Sequence, residues 1–146
     1  MDSAAESVAA SSVKRIGPLL GIGLLYAAIG FVTGELSQSA GSPQWQNLWR
    51  LSAWPLSLLV FVCHFALERL KLSNPTLRTA RNVAIAAGLG GLLLAVVGPV
   101  RTHWGEADFG RATVLSVVLW PLLTGIPAFL LGWIGGWVVD RFRRLP

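Results

Sequence analysis

The chain is expected to be all-α: a polytopic membrane protein whose four transmembrane helices form one bundle with both termini in the cytoplasm. Three observations predict this. Only 13% of its 146 residues are charged, against roughly 25% in an ordinary soluble domain, too few to cover a water-facing surface. Runs free of Asp, Glu, Lys and Arg extend from Ile16 to Gly34, Leu51 to Leu67, Asn82 to Val100 and Ala112 to Val139, close to the ~20 helical residues that cross a hydrocarbon core. The runs are also continuous, without the period-two alternation of barrel strands, which leaves helices as the form that satisfies its own backbone in lipid.

Residues 1–15 are small and polar, cannot bury a core, and are expected to be a mobile cytoplasmic tail. The first helix is placed at 16–35. Its basic start resembles a secretory leader, but its 19 uncharged residues exceed the roughly 7 to 15 of a signal core, so it is taken as a retained helix. It carries small residues spaced by four: Gly17 and Gly21, Gly23 and Ala27, Gly30 and Gly34. Such spacing opens a groove in which a second backbone can approach closely.

The second helix, at 50–68, is large and aromatic with a polar stripe. At 100° per residue Arg50, Ser57, Phe61, His64 and Glu68 fall within a narrow arc, with Trp54 beside them. Ionisable groups avoid lipid, so the arc is expected to face the bundle interior. Its functional reading is a path in which His64 and Glu68, one turn apart, exchange a proton or bind a polar group. Its structural reading places Arg50 and Glu68 at the two interfaces, with His64 bonded to a neighbouring helix.

The third helix, at 82–100, repeats the small-residue spacing in Ala84 and Gly88, then Ala87, Gly91 and Ala95. The loop after it, "RTHWGEADFGR", offers His103, Glu106 and Asp108, metal-competent types without an evident fourth ligand, so a solvated loop is expected there. The fourth helix, at 114–139, carries Ala128, Gly132 and Gly136 at the same spacing, and Pro121 and Pro127, which are expected to kink it. Residues 16–140 thus form one transmembrane domain, and 141–146 a basic cytoplasmic end.

Orientation follows from the cations. With the N-terminus inside, Lys14, Arg15, Arg69, Lys71, Arg78, Arg81, Arg141, Arg143 and Arg144 lie on the cytoplasmic side, and only Arg50, Arg101 and Arg111 outside. Trp45, Trp49 and Trp104 then fall at the outer interface and Trp133 and Trp137 at the inner one, as an aromatic belt requires. The formal charge of +5 is accordingly a topology signal. Nucleic acid is excluded as a partner because no soluble domain gathers the basic residues.

Several chemistries are excluded residue by residue. Cys63 stands alone, so a thiol–disulfide relay of the kind used by four-helix membrane oxidoreductases has no second sulfur. Small four-helix multidrug exporters depend on an embedded carboxylate in their first helix, whereas this one has only Glu35, at its outer end. His64 and His103 lie near opposite faces, too far apart to hold a transmembrane haem. No nucleotide loop, nucleophile elbow or metal-binding helix motif is present. Trp54-Pro55-Leu56 recurs as Trp120-Pro121-Leu122, 66 residues later, a three-residue echo that chance supplies readily.

The expected function is that of a small multi-pass protein acting by helix packing, as an accessory, assembly or scaffold subunit or a self-associating bundle. Its partners are the lipid bilayer and other membrane subunits or further copies of itself, its location is the bacterial cytoplasmic (inner) membrane, and it needs no cofactor. The alternatives are a small transporter or channel using the Arg50, Ser57, His64 and Glu68 face and, with least support, an intramembrane enzyme.

Overall fold

The computed structural model describes the backbone over residues 2–102 and 111–143, and side chains over 16–98 and 114–143. These residues are helical apart from short turns. Helix α1 is Asp2–Ser39, and α2 (Pro43–Ala66) continues into a π-helical segment, Leu67–Lys71. Helices α3 (Thr76–Thr102) and α4 (Arg111–Phe142) follow. Four stretches are long and apolar enough to cross a membrane: Ile16–Ser39, Pro43–Lys71, Thr76–Gly98 and Val114–Phe142.

The helices outrun the charge-free runs because a helix does not end where its hydrocarbon-compatible portion ends. Helix α1 continues back to Asp2 through the stretch expected to be a tail, where Ala4, Ala5, Ala9 and Ala10 are strong helix formers. Helix α2 begins at Pro43 rather than at residue 50. Proline suits a first helical position, since its fixed φ is helical and its missing N–H has no partner to lose. Helix α4 runs unbroken through Pro121 and Pro127. Between them the Thr124 hydroxyl reaches the Trp120 carbonyl of its own turn at 2.9 Å and the Ala87 carbonyl of α3 at 3.1 Å.

Helix α3 is the centre of the arrangement. It packs against α1 on one side and α4 on the other, while α2 lies along α1 and meets α3 and α4 only towards its C-terminal end. The buried apolar core is made of small residues on α3, namely Ala80, Val83, Ala86, Ala87 and Ala95, joined by Ala128 of α4. Lipid tails are as apolar as leucine, so close backbone approach and van der Waals contact drive such helices together. A Cβ on Gly91 would stand 2.9 Å from the Trp120 carbonyl oxygen, and one on Gly132 would stand 3.0 Å from Ala80 Cα. On the α1 side, Gly30 faces Leu94 and Gly90 faces Tyr26, where an added Cβ would stand only 2.5 Å from the facing side chain, closer than contact allows. Gly34 is different: nothing lies within 4 Å of the position its Cβ would take.

At the end where α1 leads into α2, Ser37 ties the two helices. Its buried hydroxyl accepts from Arg50 Nε at 3.1 Å and donates to the Gln46 carbonyl at 3.1 Å. Ser37→Ala is expected to cost roughly 0.5–1.5 kcal/mol, the net worth of an intramolecular hydrogen bond, in reversible unfolding from mixed micelles. A loss above 3 kcal/mol would mean that this tie does more than join two helix ends.

Candidate functional site: a buried polar cluster

The described polar side chains concentrate at the opposite end, where α2 finishes. The sequence "HFALERLKLSNPT" builds this site through a local change of helical pitch. Glu68 and Arg69, adjacent in the chain, lie in the π-helical segment Leu67–Lys71 and are both buried, at 6% and 4% exposure, because each faces a different neighbour of α2. Such π-turns occur mostly as single-turn bulges, frequently at functional sites. Ser73 then closes the turn at φ 50°, in the left-handed region that non-glycine residues enter at a cost. The Asn74 N–H bonds back to the Glu68 carbonyl at 3.0 Å. The result is a tight corner that starts α3 directly beneath the end of α2.

Two charge centres result. The Glu68 carboxylate accepts from Asn74 Nδ2 at 2.5 Å and Asn82 Nδ2 at 3.0 Å, both on Oε2. Its Oε1 lies 3.6 Å from His64 Nε2, one turn earlier on α2. Arg69 reaches the other way. Its Nη1 donates to the Asn74 carbonyl at 2.7 Å, and its Nη2 to the Gly136 carbonyl at 3.4 Å and to Asp140 Oδ1 of α4. Thr76 Oγ1 completes the Asp140 carboxylate, donating to Oδ2 at 2.6 Å. Gly136 makes this approach possible, since a Cβ there would lie 2.6 Å from Thr76 Cγ2. Thr79, fully buried, donates to the Asn74 carbonyl at 3.5 Å.

The cluster thus pins α2, the corner, α3 and α4 to one another. Three buried atoms near these seams have no partner among the described residues: His64 Nδ1, Arg69 Nε and the Tyr26 hydroxyl. The last belongs to α1 where it packs on Gly90.

Of the polar face expected on α2, the structure brings His64 and Glu68 together. Arg50 is exposed at the far end, 14 residues or about 21 Å away along the helix, bonded to Ser37. Ser57 is half-buried between them, outside the cluster. Arg69, Asn74, Thr76, Thr79, Asn82 and Asp140 were not anticipated. The available signals were Asn82 and Asp140, polar residues that bound the last two charge-free runs on the same side as Glu68. His103, Glu106 and Asp108 lie outside the described residues, and among those described no three His, Cys, Asp or Glu side chains gather as metal ligands. Elsewhere a groove between α3 and α4, lined by Ala84, Pro121, Leu122, Gly125, Ile126 and Phe129, is wholly apolar.

Fold and site together define an all-helical chain with four membrane-length apolar helices and a charged cluster that locks one end of them. No known protein family, curated protein sequence or solved structure shows significant similarity to it.

Proposed function

We propose that the chain is a multi-pass protein of the bacterial inner membrane, with both termini cytoplasmic, that acts by helix packing as an accessory or scaffold subunit or as a self-associating bundle. The observation that carries this reading is an unused packing face. Gly17 and Gly21, spaced by four on α1, are exposed and meet nothing within 4 Å, while the similarly spaced Gly132 and Gly136 of α4 are filled by Ala80, Val83 and Thr76 of α3. Burial supports it: 39% of the apolar window of α3 is buried, against 6% for α4 and 11% for α1 and α2, so the outer helices have most of their surface left for lipid or for other helices. Leu24, Leu51, Trp54, Leu123 and Trp137 are among the large apolar side chains facing outwards.

The test is the mass and composition of the particle extracted from its own membrane in a mild detergent. Other subunits in fixed ratio, or a homo-oligomer that Gly17→Leu with Gly21→Leu dissociates, are the expected results. A monomer that stays monomeric in lipid nanodiscs would overturn the reading.

A second reading, a small transporter or channel using the His64 and Glu68 face, is favoured by one observation: an ionisable pair buried among helices, with His64 Nδ1 unpartnered. Ion or proton flux into liposomes that His64→Ala abolishes would support it, and equal leak with and without the protein would remove it.

A further inference from the structure

The charges of the cluster do not balance. Asp140 and Arg69 are in direct contact and neutralise one another, with Thr76 on the second carboxylate oxygen. Glu68, its side chain 7% exposed, has no such partner. Its two close contacts are the neutral amides of Asn74 and Asn82, and among the described residues no Lys or Arg comes within ion-pair distance of it. The remaining neighbour is His64, as deeply buried, 3.6 Å away.

An uncompensated carboxylate taken out of water is strongly disfavoured even after the protein relaxes, and neutral donors offset only part of that. One proton added to the pair removes the net charge, whether it resides as imidazolium beside carboxylate or as imidazole beside carboxylic acid. A second proton would restore an imbalance of the opposite sign. The pair therefore favours a single occupancy, and its titration belongs to both residues together.

We propose that His64 and Glu68 form a binding site for a single exchangeable proton, held between imidazole and carboxylate inside the cluster that joins α2, α3 and α4. The proton comes from water and returns to it, with no other co-reactant. His64 Nδ1 is buried and without a hydrogen-bond partner among the described residues, so the second ring nitrogen is not committed elsewhere. The surrounding titratable and charged groups do not supply the missing charge. Tyr26 of α1 is neutral, Arg69 is held by Asp140, and Lys71 is exposed. Arg78 and Arg81 of α3 are half-buried and exposed, and Arg141 and Arg143 of α4 are exposed. The inference does not depend on whether the chain works alone or in a complex.

The test uses the full chain in lipid nanodiscs, with imidazole nitrogens labelled and His103→Gln as background so that His64 gives the one histidine signal. Nitrogen shifts are followed from about pH 5 to 9, the range in which histidine ordinarily changes charge. The expected result is one protonation step of His64 whose proton affinity falls at least tenfold in Glu68→Gln. Equal affinity in the two proteins, or a His64 that stays neutral throughout while Glu68 shows no protonated-carboxyl infrared band, overturns the proposal. If Glu68→Gln does not fold, His64→Gln provides a second readout: Glu68 then carries the proton alone and shows a protonated-carboxyl infrared band on acidification, and absence of that band overturns the proposal. Repeating the titration with choline in place of sodium and potassium separates the proton from a metal ion. A protonation step that moves with sodium or potassium assigns the site to that cation instead.

Discussion

Arg69→Met is expected to lower the unfolding free energy by about 3 kcal/mol, the low end of the cost of stripping one partner from a buried ion pair. The low end applies because the Asp140 side chain is 40% exposed and regains some hydration when Arg69 goes. Three acceptors lose the guanidinium at once: Asp140 Oδ1, the Gly136 carbonyl and the Asn74 carbonyl, the last keeping only the longer bond from Thr79. They belong to α4 and to the corner between α2 and α3, so the loss is one of mutual positioning as well as of charge. Arg69→Lys should recover only part of it, because an ammonium lacks the planar fork that spans acceptors on two sides. Exposed Arg81 provides the control, with Arg81→Met staying within about 0.5 kcal/mol of the parent. Reversible unfolding in mixed micelles measures all three, and an Arg69→Met protein as stable as the parent would show that the ion pair locks nothing.

The second large effect belongs to α3. Gly91→Ala is expected to cost about 2–3 kcal/mol, in the upper part of the range for overpacking a filled interior. The added methyl would meet backbone, the Trp120 carbonyl oxygen at 2.9 Å and its carbon at 3.2 Å, and backbone cannot swing aside as a side-chain tip can. Thr124 Oγ1, at 2.5 Å, would have to leave the carbonyls it now bonds. Gly34→Ala is the matched opposite. With nothing within 4 Å, it should gain up to about 1 kcal/mol from the higher helix propensity of alanine. A common penalty at both positions would mean that glycine serves these helices through flexibility and not through contact.

These contrasts mark how far the fold and site could be read from residues alone. The four apolar helices were legible, because charge-free length is a direct physical requirement of the bilayer. Helix ends were not, because charge marks the water boundary whereas capping and propensity set where the helix stops, as at Pro43 and Asp2. Spacing by four identified Gly30, Gly91, Ala95, Ala128, Gly132 and Gly136, all of which meet a neighbour or are buried, together with Gly34, which faces open space. Spacing places small residues on one face without saying whether another helix is there. The polar arc of α2 was continuous on a helical wheel, yet α2 leans on α1 at one end and on α3 and α4 at the other. Arg50 and Glu68 therefore share an angle but not a neighbourhood. Arg69 was counted among the cytoplasmic-side cations because it lies just past a charge-free run, and no residue of "LERLK" announces the π-turn in which it is buried.

The order in which the cluster is synthesised differs from the order in which it is completed. Glu68 finds Asn82 14 residues later, but Arg69 must wait for Asp140, 71 residues further along. At about 5–20 residues per second, that is an interval of roughly 4–14 seconds during which a guanidinium destined for burial has emerged and its carboxylate has not. Until the last turns of α4 are made, Arg69 lacks the carboxylate that balances its charge in the finished cluster. The corner between α2 and α3 is thus completed only by the far end of the last helix.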